Sequence, residues 1–153
     1  MGNFLVKSLS TFFYIGYLPG IPGTYGSLVG LLIFFLVGKS PVFYCLISFA
    51  ILISGFLTCG ATERLLRKKD PSCIVIDEVV GMLFSLIFLP ADIKVVIIAF
   101  VIFRILDSLK PYPAGKLQNL KGSLGIMADD LIASLYTNII LQIALRLACF
   151  KAS

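Results

Sequence analysis

Long blocks of apolar residues, each closed by a charged or Pro/Gly-containing segment, constrain this chain more than any other feature. They run over 28–37, 42–62, 79–89, 93–106 and 131–150. The chain is 59% hydrophobic and 14% charged, whereas a soluble domain is nearer half apolar and a quarter charged. Residues 42–62 are long enough for a ~30 Å hydrocarbon core. Several of the other blocks are shorter than the usual ~20 residues, and each of these is extended by a charged end. The pattern predicts an all-α, multi-pass helical membrane protein with about five membrane-embedded helices. Residues 4–18, interrupted by Lys7, Ser8, Ser10 and Thr11, read as an N-terminal interfacial helix. A single domain over 1–153 follows, because the blocks leave no room for a second.

Several chemistries are excluded by what is missing. The sequence contains no histidine, so Ser-His-Asp hydrolysis, His-ligated zinc and His-nucleophile phosphatase chemistry are ruled out. Cys45, Cys59, Cys73 and Cys149 form no Cys-x-x-Cys pair. Cys59 and Arg64 are one residue too close for the Cys-x5-Arg of thiol phosphatases. The net charge of +5 fits loops facing anionic headgroups. No basic run interleaved with aromatics supports nucleic-acid binding.

The charged residues that remain gather in few places. Asp77-Glu78 precede one apolar block, Arg104, Asp107 and Lys110 end another, and Asp129-Asp130 precede the last. The stretch from Gly16 to Ser27 is dense in proline and glycine, which are not expected to continue a helix. It reads as a rigid loop, or as a backbone that brings N–H groups to an anion. With five crossings, this loop and all three acidic groups fall on one membrane face. Lys7, Arg64, Arg67, Lys68, Lys69, Arg104, Lys110, Lys116 and Lys121 lie on that face too. Lys39, Lys94 and Lys151 lie on the other, with Arg146 near that end of the last block. The Lys/Arg bias makes the shared face cytoplasmic.

Ionisable groups beside a membrane core are costly and point to function. The five carboxylates exceed what Arg104 and Lys110 neutralise, and crowded carboxylates repel unless a cation joins them. Oxygen-only ligands suit Mg²⁺ or Mn²⁺ rather than zinc. Arg104 and Lys110 suit an anionic substrate, with Arg able to hold two phosphate oxygens. Together these features suggest metal-assisted phosphoryl chemistry on a lipid. Each group also has a plain structural explanation. Asp77-Glu78 and Asp129-Asp130 could be favourable charge at helix N-termini. Arg104–Asp107 could be an i, i+3 ion pair. Such explanations must cover all three acidic groups meeting on one face, which favours chemistry.

Three long stretches carry a family resemblance: Pro19-Gly-Ile-Pro-Gly-Thr-Tyr-Gly-Ser-Leu28, Ile74-Val-Ile-Asp-Glu-Val-Val-Gly-Met82, and Phe103-Arg-Ile-Leu-Asp-Ser-Leu-Lys-Pro-Tyr-Pro113 with Gly125-Ile-Met-Ala-Asp-Asp130. In this order they resemble the phosphatidylglycerophosphatase A family. The resemblance implies an all-helical bacterial inner-membrane enzyme that removes the terminal phosphate of phosphatidylglycerophosphate with Mg²⁺. It implies Asp77, Glu78, Asp107, Asp129 and Asp130 as metal-binding and catalytic residues. Arg104 and Lys110 would hold phosphate, and Thr24 with its flanking backbone would line the site. Two positions depart from the family pattern: Gly122-Ser123 where Gly-Gly is usual, and Ala133-Ser134 where Ala-Gly is usual. Both are small-for-small changes that bear on packing.

Two other classes fit parts of the pattern. A lipid phosphotransferase also needs clustered aspartates, but the Asp-Gly-x-x-Ala-Arg signature of CDP-alcohol transferases is absent. A cation channel or transporter would place carboxylates near the bilayer midplane rather than at helix ends. The expected partner is a phospholipid substrate, and the sequence leaves room for a homo-oligomer.

Overall fold

A computed structural model describes residues 2–152, with side chains through 149, so the Lys151 side chain and the C-terminal residue lie outside the described residues. Among these residues the fold is all-helical: α1 (Asn3–Ser10), a short 3-10 turn (Ile15–Tyr17), α2 (Pro22–Val37), α3 (Pro41–Leu66), α4 (Ile76–Ser85), α5 (Ile93–Leu109), α6 (Ala114–Leu117) and α7 (Ser123–Ala152).

The shortest of the apolar helices is the centre of the bundle. α4 has ten residues, about 15 Å of helix, half the thickness of a hydrocarbon core. It is enclosed by α2, α3, α5 and α7. Ile76, Val79, Val80, Met82 and Leu83 are all but inaccessible. Glycines let the neighbours approach. A Cβ at Gly30 of α2 would lie 2.8 Å from the Met82 Cβ, and one at Gly81 of α4 would lie 3.3 Å from the Asp130 Cβ of α7.

A helix that ends inside a bundle leaves carbonyls without intrahelical partners, and these need donors. Side chains of two other helices supply them. The Tyr44 hydroxyl of α3 donates to Leu83 O at 2.5 Å, a second donor beside the Leu86 N–H. The Asn138 amide of α7 donates to Ser85 O at 3.0 Å and Ile87 O at 2.8 Å. At the other end, Val75 N donates to Ser10 O at 3.1 Å, which ties the lead-in of α4 to α1.

α3 and the Ser123–Cys149 part of α7 are long and apolar enough to cross a membrane. α2 and α5 have 16 and 17 residues. The outer faces are apolar: Phe43, Leu46, Phe49, Ile53 and Leu57 of α3 recur every three or four residues and are exposed, as are Ile97, Val101 and Ile105 of α5. α4, expected among the membrane-embedded helices, is surrounded by other helices of the bundle.

Three sequence-based boundaries change. The Pro/Gly stretch does not stay a loop: α2 begins inside it, with Pro22 at a first-turn position where a missing N–H costs nothing. Residues 112–128, expected as a polar loop, contain α6 and the start of α7. The last helix therefore begins at Ser123, and Asp129 and Asp130 sit in its second turn rather than before it.

Candidate active site

The N-terminal end of α4, the first turn of α2, the last turn of α5, the start of α7 and the 70–74 segment converge on one cavity of about 230 Å³. Asp77, Glu78, Arg104, Asp107, Lys110, Asp129 and Asp130 all line it. Residues separated by more than fifty positions in sequence thus meet at one site. Thr24 lies one residue beyond the lining, which takes Pro22 and Gly23 from that turn.

The five carboxylates divide by partner. Arg104 Nη1 donates to Asp107 Oδ2 at 2.7 Å, one turn along α5. Lys110 Nζ donates to Asp129 Oδ2 at 2.5 Å, from α5 to α7. Lys110 can turn back because it adopts a left-handed conformation (φ 46°) that ends α5 just before Pro111. Burial lowers the Lys110 pKa, but the Asp129 carboxylate more than offsets this, so the ammonium titrates above its ordinary value.

Asp77, Glu78 and Asp130 have no such cation. One oxygen from each lies within 4.8 Å of the others. Asp77 Oδ1, Glu78 Oε2 and Asp130 Oδ2 are buried without a hydrogen-bond partner among the described residues, as is Asp129 Oδ1. Buried unpaired carboxylates are costly unless a cation or a proton neutralises them. An all-oxygen cluster of this kind matches the ligand preference of Mg²⁺ or Mn²⁺.

Gly23 keeps the cavity open. A Cβ there would collide with Glu78 Oε1 and lie 3.2 Å from both Arg104 Nη1 and Nη2. The positive end of the α2 dipole is thereby brought against the site, which favours an anion. Two lining residues escaped sequence reading. Asp70 and Ser72 border the cavity, and Asp70 Oδ2 accepts from Gln118 Nε2 at 3.3 Å. The available signal was Asp70 itself, a lone acid directly after a Lys-rich run and before proline.

The fold and the cavity define an all-α protein that carries a buried carboxylate centre beside two cations, at one end of a bundle with apolar flanks. Known proteins give the class a name. A family model described as phosphatidylglycerophosphatase A matches residues 8–145. The phosphatidylglycerophosphatase A of Escherichia coli is 38% identical over 128 residues, covering 82% of this chain and 74% of that one. The Haemophilus influenzae protein of the same name is 32% identical, covering 88% and 85%. A Bacteroides thetaiotaomicron protein named a putative phosphatidylinositol-3-phosphatase is 33% identical, covering 93% and 94%. No solved structure matches this chain. The chain belongs to the phosphatidylglycerophosphatase A family, and it is a phosphatase.

Proposed function

We propose that this phosphatase hydrolyses the terminal phosphate of phosphatidylglycerophosphate to give phosphatidylglycerol, and that it needs Mg²⁺ to do so. It would work in the bacterial cytoplasmic membrane as a multi-pass protein, with its site at the cytoplasmic face. The observation that carries the reading is the split of the acids. Asp77, Glu78 and Asp130 bring buried, orphaned oxygens together with no ion-pair partner among the described residues, and Asp107 and Asp129 each hold a cation.

Asp77, Glu78 and Asp130 would hold the ion. When bound, it would neutralise these carboxylates and polarise the phosphoryl oxygens. Arg104 and Lys110 bind the phosphate, and Asp107 and Asp129 orient them. Gly23 admits the phosphate to the end of α2. Hydrolysis forms a P–O bond to water and breaks the one to the glycerol oxygen. A proton leaves the attacking water and one must end on the departing glycerol oxygen; Asp129 Oδ1, buried and without a hydrogen-bond partner among the described residues, would take the first and hand it to the second.

The test is phosphate release by purified protein from a lipid panel, with and without EDTA. The panel holds phosphatidylglycerophosphate, phosphatidate and phosphatidylinositol 3-phosphate, the last because of the Bacteroides relative's name. Preferred, EDTA-sensitive turnover of phosphatidylglycerophosphate is expected. Undiminished turnover in excess EDTA removes the ion from the reading, and preference for the inositol lipid replaces the substrate. Ion flux without phosphate release would favour the channel reading instead.

A further inference from the structure

Arg104 borders two spaces. One is the acidic cavity; the other is a groove of about 420 Å³ on the outer side of α5, lined by Phe100, Val101, Arg104, Ile105, Ser108 and Leu109. Those residues form two adjacent rows at helical spacing, 100–104–108 and 101–105–109. The row 101–105–109 is wholly apolar and exposed. The other row places the guanidinium and the Ser108 hydroxyl at the end of α5 that meets the cavity, and Phe100 about 12 Å further away. One row of the groove thus carries a guanidinium and a hydroxyl towards the cavity, and the row beside it is apolar throughout.

We propose that this groove holds an acyl chain of the lipid substrate, a reading that rests on the lipid phosphatase function above. Arg104 then meets the headgroup while Ile105, Val101 and Phe100 line the chain. A second apolar groove, between α4 and α7, is lined by Phe84, Phe88, Leu131 and Leu135 among others, at about 450 Å³. It shares no lining residue with the acidic cavity. Continuity through Arg104 is what selects the α5 groove.

Val101 and Ile105 are 47% and 50% exposed, so each position tolerates a larger side chain. The chain has no tryptophan, so Val101→Trp or Ile105→Trp both narrows the groove and introduces a single, selectively excitable tryptophan. Leu135→Trp does the same in the rival groove. The first readout is kcat/KM for diacyl phosphatidylglycerophosphate relative to the deacylated headgroup phosphate. This ratio is expected to fall about 10-fold in the α5 variants and to stay unchanged in Leu135→Trp. The second readout needs no turnover: quenching of the tryptophan by phosphatidylglycerophosphate with brominated chains, present at low mole fraction in unbrominated phosphatidylcholine vesicles with EDTA. Stronger quenching at 101 and 105 than at 135 is expected. Equal quenching at all three, or a fall in the ratio confined to Leu135→Trp, overturns the proposal. If the unmodified protein hydrolyses none of these lipids yet quenching stays selective for α5, the enzymatic reading fails and the groove stands.

Discussion

Lys110 Nζ and Asp129 Oδ2 are 2.5 Å apart, joining the end of α5 to the second turn of α7 across 19 residues of sequence. The contact spends one of the five carboxylates on a cation and leaves that residue's second oxygen buried and bare. Arg104 and Asp107 repeat the arrangement within α5. The cavity is thus divided into carboxylates that steer cations and carboxylates that lack one.

That division predicts that metal binding and charge removal each stabilise the protein, and that the two gains do not add. Mg²⁺ at a hundred times its dissociation constant should stabilise the protein by about 2.7 kcal/mol. Asp77→Asn and Asp130→Asn should each raise the melting temperature of the metal-free protein, because one repelling charge is gone, and should lose most of the Mg²⁺-dependent rise. Differential scanning fluorimetry in detergent, with and without EDTA, measures both.

Asp107→Asn and Asp129→Asn should lower turnover per folded molecule by about 10²–10⁴-fold. Asp92→Asn is the matched control. Asp92 caps α5, its Oδ1 accepting from Lys94 N at 2.8 Å and from Val95 N at 3.4 Å, and asparagine caps as well as aspartate. Its activity should stay within a few-fold. Specific activity at equal folded protein, with thermal unfolding alongside, separates a chemical role from a structural one.

Gly23→Ala should act on catalysis and spare the fold. Alanine is the better helix former, so α2 loses nothing locally. The added methyl presses on Glu78 Oε1 and the Arg104 guanidinium, and displacements near 1 Å in a site can cost about 10²-fold. Steady-state kinetics should show that loss in kcat/KM beside an unchanged melting temperature.

The acids were legible in the sequence because charge among apolar blocks has few reasons to exist. The order of the blocks, counted as five crossings, places them on one face, and in the structure they line one cavity. Asp70 was hidden by Lys68 and Lys69 before it, which read as solvated surface. The backbone flanking Thr24 was placed at the site, but the helix that begins there was not foreseen, because proline with glycine reads as loop, whereas proline in a first turn starts a helix. Asn138 gave no signal, since the carbonyls it serves lie 51 and 53 residues away. Short apolar blocks cannot reveal whether lipid or protein surrounds them, and α4 is the case where this mattered.

Asn138→Leu should therefore destabilise without touching the chemistry. It strips the Ser85 and Ile87 carbonyls of their donor in a partly buried setting, a loss of about 1–3 kcal/mol at most. Denaturation in detergent should detect it, while turnover per folded molecule holds.

The segments that bear Lys68 and Gln118 belong to one side of the membrane in the proposed topology. The Asp70–Gln118 contact links those segments. Lys68→Cys and Gln118→Cys should be modified by a membrane-impermeant thiol reagent from the same side of sealed vesicles. Modification from opposite sides would contradict that topology.

α4 and α7 are joined at two levels. Asp77 and Asp130 meet at the cavity, and Ser85 and Asn138 meet at the buried end. Both pairs of positions are eight residues apart along their own helices, so the two helices run side by side as matched rulers. Deleting or inserting one residue between the marks on either ruler would slip it by about 1.5 Å and turn it by about 100°. No shift could then restore the cavity and the plugged helix end together. This stretch of the chain can change its side chains over time, but its length is held at both ends.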